Sequence, residues 1–362
     1  MDYKDYTHEA IELLKQLIST PSISRDETAA ADILADFIEK CGLPCQRIGN
    51  NLLVQEQLDK AKPTILLCAH IDTVKPVSSW TRDPFTPTIE GDRLYGLGSN
   101  DCGGGLVSML QAYRILRGEG SEVRGERLAY NLVYLASCEE EVSGANGFSL
   151  ALHQLPKIDV AIVGEPTGMQ PAIAERGLMV IDGVAHGKSG HAARNEGINA
   201  LYRAMDVIAM LRDFKFPEQS DFLGPVKMTV TMINAGTQHN VIPDVCTFTA
   251  DIRSNEFYSN HRIFDMISAS LPEWCEVKAR SLNLNSSRID IQHPIIQKAV
   301  MMGKVPYGSP TLSDQAILDC PSFKMGPGES SRSHTADEFV KMGELEEAVP
   351  TYLELLDGLE IC

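Results

Sequence analysis

Two hydrophobic periodicities divide the chain near Glu175. Before it, segments with apolar residues at helical spacing alternate with short runs that are apolar on both faces, as strands of a buried parallel sheet are. The helical segments are residues 8–17, 29–38 and 103–116. The apolar runs are residues 51–55, 64–69, 129–136 and 159–163. This alternation predicts an α/β fold with a mostly parallel central sheet, and residues 83–95 are expected to form mainly a loop.

After Glu175, apolar residues alternate with polar or small ones, which is typical of half-buried antiparallel strands. The strand-like segments are residues 178–185, 226–234 and 245–253, and helical patterns cover residues 198–214 and 260–271. Helix-like sequence resumes at residues 294–302 and again from Met342. We therefore predict a discontinuous α/β domain, residues 1–175 and 286–362, interrupted by an α+β domain of residues 176–285.

Composition argues against several classes of protein. Lys and Arg total 32 against 49 Asp and Glu, and the net charge of −17 disfavours phosphate backbones and anionic membranes. No run of about 18 apolar residues predicts a membrane span, and the polar N-terminus lacks the pattern of a secretion signal. Nine scattered cysteines in 362 residues are typical of reduced thiols. We expect a cytoplasmic protein with no nucleic-acid or membrane partner.

Histidines and carboxylates lie where predicted strands end or close to glycine-rich turns. They are His70 and Asp72 after the second strand, Asp101 in a glycine-rich turn, Glu139 to Glu141 after the third, Glu165 after the fourth, and His334 near the C-terminus. Ligands bind beyond the carboxyl ends of parallel strands, so we expect these side chains to converge. An acidic residue where a pyrophosphate would lie argues against a nucleotide-binding glycine loop. Two imidazoles and three carboxylates can instead hold two divalent ions, Zn²⁺, Co²⁺ or Mn²⁺.

Nine ordered segments extend this pattern over nearly the whole chain. They read "LLCAHIDTV", "DPFTP", "GDRLYGLGSNDCGGG", "LASCEEEVSG", "VGEPT", "GKSGHAA", "NVIPD", "DIR" and "GPGESSRSHTADE". In this order they resemble the co-catalytic zinc amidohydrolases, a family that includes acetylornithine deacetylase, succinyl-diaminopimelate desuccinylase, glutamate carboxypeptidases and aminoacylases. The resemblance implies a zinc-exopeptidase-like catalytic domain. It also implies that residues 176–285 form a ferredoxin-like lid through which two copies make a homodimer.

The same resemblance implies a ligand set for two zinc ions, which Co²⁺ or Mn²⁺ could replace. One ion would be held by His70, Asp101 and Glu165, and the other by Asp101, Glu141 and His334, so that Asp101 bridges them. Such two-metal sites activate a shared water and polarise a carbonyl group.

Further roles are implied for residues around these ligands. Asp72 would orient the imidazole of the first histidine, and Glu140 would be the general base. His191 would stabilise the oxyanion in the site of the opposite subunit. Asn240 and Arg253 would bind the carboxylate of the substrate.

Two details of the resemblance are open. The family shows Asp-Glu-Glu where this chain has Glu139-Glu140-Glu141, so the base and the ligand could shift by one residue to Glu139 and Glu140. The family's usual Asp-Met-Lys-Gly-Gly is here Asp101-Cys102-Gly103-Gly104-Gly105, so a basic side chain is missing near the metals. This departure bears on the choice of substrate.

The implied activity is hydrolysis of the amide bond of an N-acyl amino acid. The short chain and the segments "GEPT" and "LASCEEE" favour deacylation of N-acetylornithine, or of another acyl-ornithine or acyl-citrulline, in arginine biosynthesis. Alternatives in the family are succinyl-diaminopimelate desuccinylase, another N-acyl-amino-acid deacylase, and a di- or tripeptidase. A non-catalytic binding protein is a more distant alternative, which the complete set of ligand residues disfavours.

Overall fold

A computed structural model describes residues 3–118, 128–194 and 196–361. Contacts between residues divide the chain into two units. The first unit comprises Met1–Ile173, Ile289–Tyr307 and Ser313–Cys362, and the second comprises Ala174–Arg288 and Gly308–Leu312. The segment Gly308–Leu312 lies outside the range predicted for the inserted domain.

Helices and strands alternate along the described residues. The helices are α1 (Lys4–Ile18), α2 (Thr28–Lys40), α3 (Gly104–Leu116), α4 (Phe148–Leu152), α5 (Ala200–Asp213), α6 (Asn260–Ser270), α7 (Pro294–Met301) and α8 (Met342–Leu356). The strands are β1 (Cys45–Ile48), β2 (Asn51–Val54), β3 (Thr64–His70), β4 (Thr88–Glu90), β5 (Arg93–Tyr95), β6 (Asn131–Ser137), β7 (Val160–Val163), β8 (Ala172–Glu175), β9 (Met179–His186), β10 (Gly190–His191), β11 (Lys227–Ala235), β12 (Val241–Ile242), β13 (Val245–Arg253), β14 (Cys275–Ala279), β15 (Ser287–Arg288), β16 (Tyr307–Ser309), β17 (Ser322–Lys324) and β18 (Phe339–Lys341).

The central sheet of the first unit has the strand order β1-β2-β6-β3-β7-β17. Strand β3 runs parallel to both of its neighbours, β6 and β7, and β17 runs parallel to β7. Every residue of β3, β6 and β7 is buried, which explains their continuous apolar runs. The register pairs His70 with Ser137 and Cys68 with Val163, so the three strands end at the same edge of the sheet.

Two hydrophobic cores cover the two faces of this sheet. Alternate residues of a strand point to opposite faces, and along β3 Ile65 and Leu67 join the larger core whereas Leu66 and Cys68 join the smaller. The larger core includes apolar residues of α1, α3 and α8, and the smaller includes Phe148 of α4. Helices thus cover both faces of the mostly parallel sheet, as an α/β fold requires.

The second unit contains a four-stranded antiparallel sheet in the order β11-β13-β9-β14. On β13, Cys246, Phe248, Ala250 and Ile252 are buried, and the residues between them are more exposed. Apolar residues of α5 and α6 share a core with this buried face. The alternation predicted for residues 245–253 is therefore the pattern of a sheet that is covered by helices on one side.

The prediction of a loop over residues 83–95 is wrong in part. Strands β4 and β5 form a hairpin there, and β18 pairs with β5 to make a three-stranded sheet. These strands have three residues each, too few for an alternating pattern to be recognised in a segment with two prolines. The pairing places Glu338, which precedes β18, beside the turn that follows β5. Of the helices in the described ranges, none combines the length and apolar character that a membrane span requires.

Candidate metal centre

The five predicted ligands lie together at the carboxyl edge of the central sheet. Nε2 of His70, the last residue of β3, lies 3.3 Å from Oδ1 of Asp101 and 3.6 Å from Oε1 of Glu165. Nε2 of His334 lies 2.8 Å from Oε2 of Glu141 and 3.5 Å from Oδ2 of Asp101. The two carboxylate oxygens of Asp101 therefore face one histidine each. This is the place that a bridging ligand would occupy.

Donor atoms in this cluster are close enough to share an ion. One atom each from Asp101, Glu141 and His334 lies within 4.8 Å of the others, and the same holds for His70, Glu140 and Glu141. Imidazole nitrogens and carboxylate oxygens are ligands that suit zinc and other borderline divalent ions.

Electrostatics in the cluster also fit bound cations. Oε1 of Glu165 is buried and accepts no hydrogen bond from the residues that the structure describes. Burial and the neighbouring charge of Asp101 raise the pKa of Glu165 to about 8, although Lys324 and His70 oppose this shift. The hydrogen bond to Glu141 raises the pKa of His334 to about 9. Clustered carboxylates at this depth favour protons or metal ions that offset their charge.

Asp72 lies beside the imidazole of His70 and also contacts the glutamate turn. Nδ1 of His70 lies 2.8 Å from the backbone oxygen of Asp72 but 3.6 Å from its carboxylate. The carboxylate instead accepts hydrogen bonds from the backbone N–H groups of Glu140 and Glu141, at 3.0 and 3.2 Å, and from Ser24 Oγ at 2.7 Å. The peptide carbonyl therefore orients the imidazole, and the side chain holds the turn that carries the two glutamates.

The triple glutamate is divided by its backbone conformation. Glu139 has a positive φ of 52°, and Glu140 begins a short 3-10 turn, Glu140–Val142. The carboxylate of Glu139 accepts hydrogen bonds from the side-chain and backbone N–H groups of Asn146, at 2.9 and 3.3 Å. Its hydrogen-bonding capacity is thus directed to a neighbouring loop, whereas Glu140 and Glu141 offer their oxygens beside His70.

The missing basic side chain has a steric explanation. A Cβ atom on Gly103 would lie 2.4 Å from the backbone oxygen of Gly98 and 2.6 Å from Cδ1 of Leu14. Similarly, a Cβ atom on Gly105 would lie 1.8 Å from the backbone oxygen of Gly164. No side chain fits at either position without movement of the backbone, so the glycines allow α3 to begin close under the site.

Arg332 does not supply a basic group to the cluster. Its guanidinium makes two hydrogen bonds with Glu344, at 2.7 and 2.9 Å, and lies 4.7 Å from the ring centroid of Phe339. A planar guanidinium matches a carboxylate in this two-bond geometry, so Arg332 joins the loop to α8.

Two buried carboxylates near the ligands were not assigned a role from sequence. Glu338 accepts hydrogen bonds from the backbone of the Asp101 turn, and Asp314 accepts one from Ser137 Oγ at 2.6 Å, at the end of β6. Both lie in segments, "HTADE" and "SDQA", whose chemistry resembles that of a polar loop. What distinguishes these two acids from ordinary loop residues is that they are buried. Burial cannot be recognised from the sequence of a loop.

The remaining predicted site residues belong to the second unit. His191, on β10, is exposed, and its Nδ1 accepts a hydrogen bond from the backbone N–H of Ala193 at 3.1 Å. The backbone oxygen of Asn240 accepts a hydrogen bond from Ala192 at 3.0 Å. Arg253, at the end of β13, pairs with Asp251 through Nε and Nη2 at 2.8 and 3.1 Å.

A cluster of imidazoles and carboxylates at the carboxyl edge of a mostly parallel sheet is an arrangement of metal-dependent hydrolases. A family model described as peptidase family M20/M25/M40 matches residues 66–358. The chain therefore belongs to this family of metal-dependent hydrolases. The family resemblance and the α/β fold with a mostly parallel central sheet are both confirmed.

Three relatives show the range of the family. The acetylornithine deacetylase of Proteus mirabilis is 30% identical over 93% of each chain. The succinyl-diaminopimelate desuccinylase of Wolbachia pipientis subsp. Culex pipiens is 25% identical over 96% of this chain and 92% of its own. The YXEP protein of Bacillus subtilis, a dinuclear metal-binding peptidase, has the same fold with a TM-score of 0.72, 17% identity and 98% coverage of both chains.

Proposed function

We propose that this protein is a two-metal amidohydrolase that removes the acyl group from an N-acyl amino acid, with N-acetylornithine as the substrate. The observation that carries the proposal is the convergence of two histidines, each with a glutamate beside it, on the two carboxylate oxygens of Asp101. The Proteus mirabilis relative, at 30% identity over 93% of both chains, supports the choice of substrate. On this proposal the enzyme acts in arginine biosynthesis in the cytoplasm.

The ligands would divide between two zinc ions, which Co²⁺ or Mn²⁺ could replace. His70 and Glu165 would hold one ion and Glu141 and His334 the other, with Asp101 shared between them. The distances from each histidine to its carboxylates support this division. Bound ions supply a polarised carbonyl and a water of lowered pKa.

Glu140 is the general base in this proposal, because its oxygens lie beside His70 and Glu141 while Glu139 is held by Asn146. It would accept a proton from the attacking water and return it to the nitrogen of the leaving amine. Burial raises the pKa of Glu140 well above its usual value, although the charge of His70 opposes this shift. A raised pKa favours a group that must both take and give a proton near neutral pH.

Residues of the second unit would recognise the substrate and stabilise the transition state. In neutral His191, the hydrogen bond that Nδ1 accepts leaves the proton on Nε2, which makes Nε2 a donor for an oxyanion. The guanidinium of Arg253 is already oriented by Asp251 and has Nη1 left to pair with the substrate's carboxylate, together with Asn240.

The second unit would also form the homodimer. Strand β11 lies at the edge of its sheet, and Met232 and Ile233 on it are exposed. Tyr202 and Met205 on α5 are 65% and 55% exposed. Exposed edge strands and apolar side chains favour pairing with a second copy.

A substrate panel tests the proposal. Hydrolysis of N-acetylornithine, N-succinylornithine, N-acetylcitrulline, N-succinyl-diaminopimelate and dipeptides would be compared at equal protein and metal, with Glu140→Gln as the control for contaminating activity. We expect the highest kcat/KM with N-acetylornithine. A preference for N-succinyl-diaminopimelate would favour the function of the Wolbachia relative, and a preference for dipeptides would indicate a peptidase.

A further inference from the structure

Glu338 accepts hydrogen bonds from the backbone of the turn that carries Asp101. Its Oε1 accepts hydrogen bonds from the backbone N–H groups of Asn100 and Asp101, both at 2.9 Å, and its Oε2 accepts one from Gly98 at 3.2 Å. The backbone oxygen of Glu338 accepts a fourth bond from Gly96 at 3.0 Å. One residue therefore fixes the backbone on both sides of the turn and at Asp101 itself.

A second tie joins the same two segments. The Asn100 side chain donates to the backbone oxygen of Glu329 at 3.1 Å and accepts from the backbone N–H of Glu329 at 3.0 Å. The turn of residues 96–101 is thus bound to residues 329–338 at both ends of the segment that carries His334. These contacts hold Asp101 and His334 in relation to each other.

Because Glu338 is buried, its carboxylate needs hydrogen-bond donors from the protein. Glu338 is 2% exposed and lies beside Asp101, another acid. A buried carboxylate is costly unless hydrogen-bond donors surround it, and three backbone N–H groups meet that need. An amide in its place would offer one oxygen and would turn its own NH₂ group towards backbone donors.

We propose that Glu338 is a positioning residue for the metal centre, holding the Asp101 turn so that both carboxylate oxygens face the two histidines. The proposal rests on the proposed function, because it assumes that Asp101 is the bridging ligand. Residues that orient a metal ligand typically contribute about 10- to 100-fold to metal affinity or activity.

The test compares the wild type with Glu338→Gln, Glu338→Asp and Asp337→Asn. Each protein would be stripped with a chelator and titrated with Co²⁺, with the affinity and visible absorption spectrum as readouts. Asp337 is a matched control, since its carboxylate also accepts bonds from two backbone N–H groups, those of Thr81 and Arg82, but none from the Asp101 turn. Hydrogen exchange of the backbone amides at residues 98–101, measured in the metal-free proteins, would show directly whether the side chain at position 338 holds this turn.

We expect Glu338→Gln to lower Co²⁺ affinity by about 10- to 100-fold, to alter the visible spectrum and to speed exchange at residues 98–101. Asp337→Asn should keep the wild-type affinity and spectrum, and Glu338→Asp should fall between the two. Wild-type affinity and spectrum in Glu338→Gln would overturn the proposal. An equal loss in Asp337→Asn would also overturn it, since loosening of the whole segment would then explain both. If Glu338→Gln does not fold, the test rests on Glu338→Asp. A reduced Co²⁺ affinity in Glu338→Asp would support the proposal, and a wild-type Co²⁺ affinity would refute it.

The outcome is separable from that of the proposed function, because the readouts use the metal alone. A wild-type protein that binds Co²⁺ but cleaves no N-acyl amino acid would refute the proposed function, and the affinities of the variants would still decide the role of Glu338. An active wild type with an unaffected Glu338→Gln would refute the role of Glu338 alone. A wild type that binds no Co²⁺ would overturn both.

Discussion

The candidate residues of the two units are supported in different ways. In the first unit, His70, Asp101 and Glu165 are largely buried, and the backbone turns around them are held by other carboxylates. In the second unit, His191 is exposed and the guanidinium of Arg253 pairs with Asp251, two residues away. Burial therefore fixes the three residues of the first unit in place, and the pair with Glu141 holds His334, whose side chain is 54% exposed. The candidate residues of the second unit lie at exposed or half-buried positions.

This difference predicts different responses to mutation. A change among buried, charged residues alters metal binding or stability, because each neighbour has been positioned for a charge. A change at an exposed residue that meets only the substrate alters kinetic constants and leaves the fold and the metal content unaffected. The following variants test whether the two units separate in this way.

The largest effect is expected for Glu140→Gln. The substitution keeps the shape of the side chain and removes the base, so kcat should fall by about 10²- to 10⁴-fold or more. Metal content should stay near two ions per chain, measured by elemental analysis. The paired variant Glu139→Gln should retain activity, because Glu139 bonds to Asn146. Loss of activity in Glu139→Gln together with loss of metal in Glu140→Gln would show that the assignment is shifted by one residue.

His191→Ala should depress kcat by about 10²- to 10³-fold with little change in KM, as the loss of an oxyanion donor does. If His191 acts across a dimer, mixing this variant with Glu140→Gln should restore partial activity, because one site of each mixed dimer would be complete. No recovery after confirmed subunit exchange would mean that His191 acts within its own chain or has no role.

Arg253→Ala should raise KM and lower kcat/KM by about 2–4 kcal/mol, the scale for removing one member of a charge pair that becomes buried when the substrate binds. Lysine cannot reproduce the planar fork of arginine, so Arg253→Lys should recover little. Steady-state kinetics and metal analysis check this, and a loss of bound metal would contradict the separation of the two units.

The smallest effect is expected from reduction of the thiols. Cys68, Cys102, Cys138, Cys246 and Cys275 are buried thiols, and burial raises the pKa of Cys102 to about 12. A reducing agent should leave the melting temperature and activity unchanged. A large loss of stability on reduction would indicate a disulfide and contradict the expectation of a cytoplasmic protein.

Much of the fold could be predicted because buried faces of helices and strands place apolar residues at regular spacings in the sequence. The run over residues 64–69 identified β3, and the alternation over residues 245–253 matched β13. Strand ends then predicted that His70, the glutamates after β6 and Glu165 would meet at one edge of the parallel sheet. The family resemblance implied that Asp101 and His334 join them. The hairpin of β4 and β5 lacked a strong pattern, because each of its strands has only three residues.

The support around the ligands could not be predicted in the same way. Asp72 precedes the residues it holds by 68 and 69 positions, and Glu338 follows Asp101 by 237. A hydrogen bond from a carboxylate to a distant backbone N–H depends on tertiary packing and has no local pattern. Asp72 illustrates the limit, since its place beside the imidazole was recognised but the hydrogen bonds that its carboxylate accepts from the glutamate turn were not.

Reconstitution with metal tests the central claim most directly. The protein would be stripped with a chelator and titrated with Zn²⁺ while hydrolysis of N-acetylornithine and bound metal are measured together. Activity should be absent without metal and should reach its plateau at two ions per chain, with the Glu140→Gln variant binding the same amount and staying inactive. Binding of fewer than two ions at full activity, or no hydrolysis with both ions bound, would contradict the account.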